Sequence, residues 1–177
     1  SAITRYLSAG GRLLLSGQDI AYWDSGASGT IYAPYLEDYI YTHLVADQAA
    51  SHTVLGEGDL FAGLSIAIAG PGGADNQAAP DVIASVSSDY ASPAWRYRDD
   101  GGAALAIGPC LPYRALLFGY GLEGIDGLGA RTEVLERSID WLPGPLQPAG
   151  VELIASTTPQ IAPSGGSITQ AFRVRNM

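Results

Sequence analysis

Apolar residues in this chain fall into short runs separated by breaks rich in glycine and proline. RLLLS (12–16) is continuous and apolar, as expected of a strand covered on both faces. Before it, AITRYLSA (2–9) sets Ile3, Tyr6 and Leu7 on one helical face. Gly10-Gly11 ends that helix, because glycine accepts the left-handed cap. SGQDI (16–20) then mixes small, amide and acidic residues, the pattern of a strand breaking into a helix that restarts near Gln18. DSGASGT (24–30) reads as loop. In 32–45, Tyr35, Leu36, Tyr39, Ile40 and His43 recur at three-to-four spacing, which predicts an amphipathic helix. SHTVLGE (51–57), LSIAIA (64–69) and VIASV (82–86) read as strands, and 70–81 as a loop.

WRYR (95–98) and GAALAIG (102–108) predict a hairpin turning at DDGG (99–102). YRALLFGYG (113–121) predicts a strand ending in glycine. ARTEVLERSIDWL (130–142) predicts a helix whose stripe is Val134, Leu135, Ser138, Ile139 and Leu142, closed by Pro143. The pattern then changes. PGPLQPAG (143–150) reads as a stiff linker. Residues 151–177 alternate like the opening strands of a β-sandwich, too few to complete one. The expected organisation is an α/β domain over 1–142, a linker over 143–150 and a truncated immunoglobulin-like segment over 151–177.

Composition narrows the function. The 177 residues, 47% hydrophobic, are ample for a core. A net charge of −9 with nine basic residues argues against nucleic acid and against an anionic membrane surface. One cysteine, Cys110, excludes an internal disulfide and a multi-cysteine zinc site, and two histidines disfavour a multi-histidine metal centre. No apolar run reaches a membrane-spanning length. The low charge content and abundant Gly, Ser, Thr and Tyr suit a secreted or cell-surface bacterial protein.

Three stretches together, YLSAGGRLLLSGQDI, YRALLFGYGLEGI and ARTEVLERSIDWL, resemble class I glutamine amidotransferase-like domains, including the ThuA-like branch. They match in order the family's helix–strand–elbow segment, its late strand with the His-x-Glu loop, and its closing helix. The resemblance spans roughly residues 2–142 and implies a flavodoxin-like three-layer α/β sandwich. In the family a strand, a helix and a second strand come first. Their absence implies an open sheet edge, covered by a homodimer or by other domains of a parent chain. Similar domains accompany secreted multidomain bacterial proteins, subtilisin-like serine peptidases among them, often with immunoglobulin-like modules.

The resemblance also places the chemistry. The family's elbow is Gly-x-Cys-x-Gly, whose strained turn lifts a thiolate above the sheet for a His base held by an acid. Here the cysteine position falls on Ser16 or Gly17. The His-x-Glu position reads Gly121-Leu122-Glu123, so the acid is matched and the base is not. A serine hydroxyl without a base is a poor nucleophile. The expectation is therefore a non-catalytic accessory domain, with Ser16 and Gly17 serving a tight turn and Gln18 and Asp19 capping the next helix. The competing expectation is a hydrolase using Ser16, with Glu123 and a base from His52 or His43. Cys110, between two prolines, reads as a small loop residue, and His43 as a packed helix residue. Gln18, Asp19, Asn76, Glu123 and Asp126 are the candidate binding residues, since ligands of open α/β sheets gather at the carboxyl ends of strands. Asp75, Asn76, Gln77, Asp81, Asp99, Asp100 and Asp126 supply loop oxygens of the kind calcium prefers, but without the spacing of a calcium loop, so no metal and no cofactor is expected. Four tyrosines between Tyr32 and Tyr41 suit a peptide- or glycan-binding face, and equally plain helix packing.

Overall fold

The structure is a computed structural model. It describes residues 1–29, 32–99, 101–108 and 110–144, and the backbone of 151–154 and 173–176. The first helix, α1 (Ala2–Ser8), ends as its glycines require. Gly10 takes φ 85°, its N–H donates to Leu7 O at 2.8 Å, and Gly11 N–H donates to Tyr6 O at 3.0 Å. Together these two bonds make a Schellman cap. The strand β1 (Arg12–Ser16) follows, then α2 (Ile20–Asp24) and a single turn, α3 (Tyr35–Asp38).

The helix expected through 45 stops there. Tyr41 takes φ 51°, and β2 (Thr42–Ala46) runs on as a strand, antiparallel to β5 (Val82–Ser85). His43 therefore stands on a strand opposite Ala84, not on a helical stripe. Between them come β3 (Thr53–Gly56), the turn α4 (Gly58–Phe61) and β4 (Ser65–Ala67). The hairpin is longer than the sequence implied: β6 (Ala91–Tyr97) begins before Trp95 and pairs with β7 (Gly102–Ile107). Pro93 is accommodated because the register shifts between Pro93 and Trp95, the kind of bulge that tolerates a missing N–H. The strand β8 (Arg114–Phe118), a 3₁₀ turn at Leu122–Gly124 and α5 (Leu128–Trp141) complete the domain. Two further strands, β9 (Val151–Ile154) and β10 (Arg173–Asn176), pair antiparallel, and most of the β-sandwich expectation lies outside the described residues.

The first eight strands form one mixed sheet, whose path β1-β8-β7-β6-β3-β4 curls into a half-barrel, with β5 and β2 branching from β7. The protein is mixed α/β. In this sheet β1–β8 is parallel and the other pairings are antiparallel, unlike the parallel sheet of a flavodoxin-like fold. Strand alternation sorts the continuous apolar runs into two cores. Ala104, Ala106, Leu116 and Phe118 face Phe61, Trp95, Tyr97, Tyr120 and Val134. Leu105, Ile107, Ala115 and Leu117 face Leu7, Ala21, Leu36 and Ile40. Helices thus cover both faces: α4 and α5 on one, α1 to α3 on the other. On α5, Val134 and Ser138 are buried as expected, but Ile139 is 61% exposed.

β1 lies at one end of the sheet path. Tyr6 protects part of its free edge, donating its hydroxyl to Arg12 O at 2.9 Å and accepting from Arg12 N–H at 3.1 Å. The first core holds an unsatisfied group: the Tyr120 hydroxyl is buried without a hydrogen-bond partner. Removing an orphaned polar atom and keeping the ring lifts a desolvation penalty. Tyr120→Phe is expected to raise the unfolding free energy by about 1 kcal/mol, measured by urea denaturation.

Candidate functional site

The site is built where β1 and β8 end side by side. Their parallel register sets Ser16 opposite Phe118, so the turn after β1 meets the glycine-rich loop after β8. The Ser16 hydroxyl joins them. It donates to Tyr120 O at 2.9 Å, and its oxygen accepts from Leu122 N–H at 2.8 Å. The turn's left-handed residue is Asp19, at φ 68° and ψ 0°, rather than Ser16 or Gly17. Ser16 is a clamp between two loops.

Residue 121 is a glycine with an ordinary φ of −75°. A Cβ built there would lie 2.1 Å from Glu123 Oε1, because the Glu123 carboxylate folds over the position where the family would carry its base. Gln77, 4% exposed, holds this arrangement. Its Oε1 accepts from Gly121 N–H at 2.6 Å; its Nε2 donates to Asn76 Oδ1 at 2.7 Å and to Glu123 Oε1 at 3.3 Å. Asn76 Nδ2 also donates to Glu123 Oε1 at 3.3 Å, and Gln18 Nε2 donates to Asn76 O at 3.0 Å. Gln18, Asn76 and Glu123 are thereby brought together around Ser16.

The other candidates go elsewhere. Asp126 Oδ1 accepts from Gly72 N–H at 2.7 Å and anchors the 70–73 turn, which Arg131 also holds through Gly72 O at 3.0 Å. His52 Nε2 meets Gln77 O at 2.8 Å, and neither His52 nor His43 is among the hydrogen-bond partners of Ser16. Cys110 is partly buried in the loop between β7 and β8, with φ 58°. Asp75 caps Gly70 N–H at 3.0 Å; Asp99 sits in the hairpin turn, and Asp100 lies outside the described residues. No helix among the described residues is long and apolar enough to cross a membrane.

Asp19 does not cap α2 with its side chain, correcting the sequence expectation. The cap comes from the residue before β5: Asp81 Oδ2 accepts from Ala21 N–H at 2.8 Å. Asp81 is fully buried, and burial pushes its carboxyl up to about 7, with Asp19 and Asp47 adding repulsion against the bonds from Ala21 and Tyr22. Asp19 is raised too, by desolvation and then by Asp47. Oxygens of Asp19, Asp47 and Asp81 all lie within 4.8 Å of one another. Gln77 and Asp47 carry roles that sequence reasoning did not assign. Gln77 had a signal, an amide in the loop that returns to the strand ends, whereas nothing local marked Asp47.

The raised carboxyl has a sign. A folded pKa above the unfolded value means the fold binds the proton more tightly, so the contribution of Asp81 is fully present below its usual 3.8 and lost as pH rises through about 7. In chelator-treated protein, the melting temperature is expected to fall over that window. Asp81→Asn, which keeps an oxygen for Ala21 N–H and drops the charge, flattens the decline relative to wild type.

Comparison with family models, with curated proteins and with solved structures finds no match for this chain.

Proposed function

We propose that the chain is a non-catalytic accessory module of a larger secreted bacterial protein, derived from a class I glutamine amidotransferase-like, ThuA-like domain whose reactive centre has become a structural joint. One observation carries this reading: the Ser16 hydroxyl is engaged as donor and acceptor by backbone groups of the opposite loop, and the Glu123 carboxylate covers the place of the base. The parallel pairing of β1 with β8, each running into a turn at the same end, supports the derivation. So does the covering of the sheet by helices on both faces.

The module's work is then spacing and contact. The free edge of β1 suits packing against other domains of a parent chain, with a second copy as the competing occupant. A shallow concavity lined by Gln18, Asp19, Ile20, Trp23 and Asp24 joins an exposed indole to acidic and amide groups. That chemistry suits the apolar face and hydroxyls of a sugar, or a peptide. Any peptidase activity belongs to another part of the parent chain.

The hydrolase reading requires Ser16 to gain a base, and His52 is held instead at Gln77 O. The discriminating assay is turnover of p-nitrophenyl acetate. The accessory reading predicts that wild type and Ser16→Ala hydrolyse it at the same background rate. A wild-type rate that collapses in Ser16→Ala establishes the enzyme.

A further inference from the structure

We propose that Asp19, Asp47 and Asp81 form a calcium site that locks three segments of the chain together: the turn after β1, the loop after β2 and the entry to β5. The inference is independent of the accessory-module reading, since it invokes neither Ser16 nor the loop after β8.

Three observations carry it. The first is spacing. Oxygens of all three carboxylates lie within 4.8 Å of one another. Two oxygens on one calcium ion, each about 2.3–2.6 Å from it, stand at most about 5.2 Å apart, whereas octahedral magnesium needs them within about 4.2 Å. Each pair of carboxylates in the cluster falls within the calcium limit.

The second is unmet bonding. Asp81 is 0% exposed, yet its Oδ1 has no hydrogen-bond partner. Asp47 Oδ1 is likewise buried and unpartnered. The remaining Asp81 oxygen is fixed by Ala21 N–H, which holds the carboxylate in place. Among the described residues the ion pairs are Arg96–Glu57 and Arg137–Glu133, so no arginine neutralises the three acids. A buried carboxylate such as Asp81 is costly without a counter-charge, and a divalent cation supplies both the charge and the missing contacts.

The third is preorganisation. Ala79 N–H donates to Gln18 Oε1 at 3.0 Å, Gln48 Nε2 to Ala78 O at 3.2 Å, and Ala49 N–H to Pro80 O at 3.0 Å. Each bond flanks one of the acids, so the three carboxylates are positioned by neighbours that are not themselves ligands. Such supporting contacts are what fixed metal sites need. No single loop holds the set, which is why no calcium motif is legible in the sequence.

The test is calorimetric titration of the EGTA-stripped chain with calcium chloride. The expected result is a single saturable site with a dissociation constant on the order of 10⁻⁴ M, the range of extracellular modules. Calcium at roughly a hundred times that constant is expected to raise the melting temperature by about 5–10 °C, and magnesium by less. Asp47→Asn and Asp81→Asn each weaken binding about tenfold or more, which cuts the thermal shift at that calcium concentration to about half or less. Asp47→Asn leaves the cap on Ala21 intact, so it gives a folded variant even if Asp81→Asn does not. Absence of saturable binding in wild type, or Asp47→Asn binding as tightly as wild type, overturns the site. A shared proton among the acids would give the first of those results.

Discussion

Gly119→Ala is expected to lower the unfolding free energy by about 3 kcal/mol. Gly119 directly follows β8, where the chain turns toward the site. Its N–H donates to Ala103 O at 2.8 Å, and its carbonyl accepts from Asp81 N–H at 2.7 Å. A Cβ there would lie 2.4 Å from Asp81 O and 3.3 Å from Ala103 O. Both obstacles are backbone atoms in a paired sheet, so no flexible side chain can move aside. The strain falls on the link between β8 and the entry to β5, and so on Asp81 itself, which caps α2 from there. Chemical denaturation should show the loss, together with a weaker calcium response than wild type. A variant as stable as wild type would show that β8 and the Asp81 segment are less tightly joined than described.

Trp95→Ala is expected to cost about 3–5 kcal/mol and to lower the melting temperature by roughly 6–20 °C. Trp95 is fully buried on β6, its ring 4.8 Å from that of Phe61, which in turn meets Phe118 edge-on at 6.1 Å. Truncation empties the centre of the core shared by α4, α5 and the sheet. The indole N–H is buried without a partner, so it adds nothing to hold the residue there. Trp95→Phe therefore separates the two contributions: it keeps most of the packing and removes the orphaned donor. It is expected to cost less than half as much as Trp95→Ala in the same denaturation experiment. Equal costs would contradict a dominant role for ring packing.

Much of the fold was legible because its signals are local. The Gly10-Gly11 stop, the run at 12–16, the strands near 53, 65, 82 and 114, and the helix before Pro143 all follow from glycine chemistry, proline chemistry or unbroken apolar runs. The segment 32–45 misled because its helical spacing is real for only one turn. Tyr41 then adopts a left-handed backbone, and Thr42 and Val45 suit a strand once β5 is available to pair. Local periodicity carries no trace of that partner. The direction of the strands was equally hidden, since a continuous apolar run marks a strand buried on both faces without saying which way its neighbours run.

The candidate site was legible in part for the same reason. Ser16, Gln18, Asn76 and Glu123 lie near the predicted strand ends; the structure joins Asn76 and Glu123 through Gln77, bonds Gln18 to Asn76 O, and bonds Ser16 to the loop that carries Glu123. Asp19 was expected among them and as a cap. Instead the left-handed turn sends it toward Asp47 and Asp81, which are distant in sequence. Distances of this kind come from the curl of the sheet and from loop-to-loop hydrogen bonds, neither of which leaves a pattern along the chain.

As a clamp bonded to Tyr120 O and Leu122 N–H, the Ser16 hydroxyl is structural rather than nucleophilic in the proposed module. Intact-mass spectrometry after incubation with excess fluorophosphonate tests this directly. The clamp predicts that wild type and Ser16→Ala each keep their unmodified mass, with no adduct on the peptide containing Ser16. An adduct on Ser16 that disappears in Ser16→Ala would contradict it.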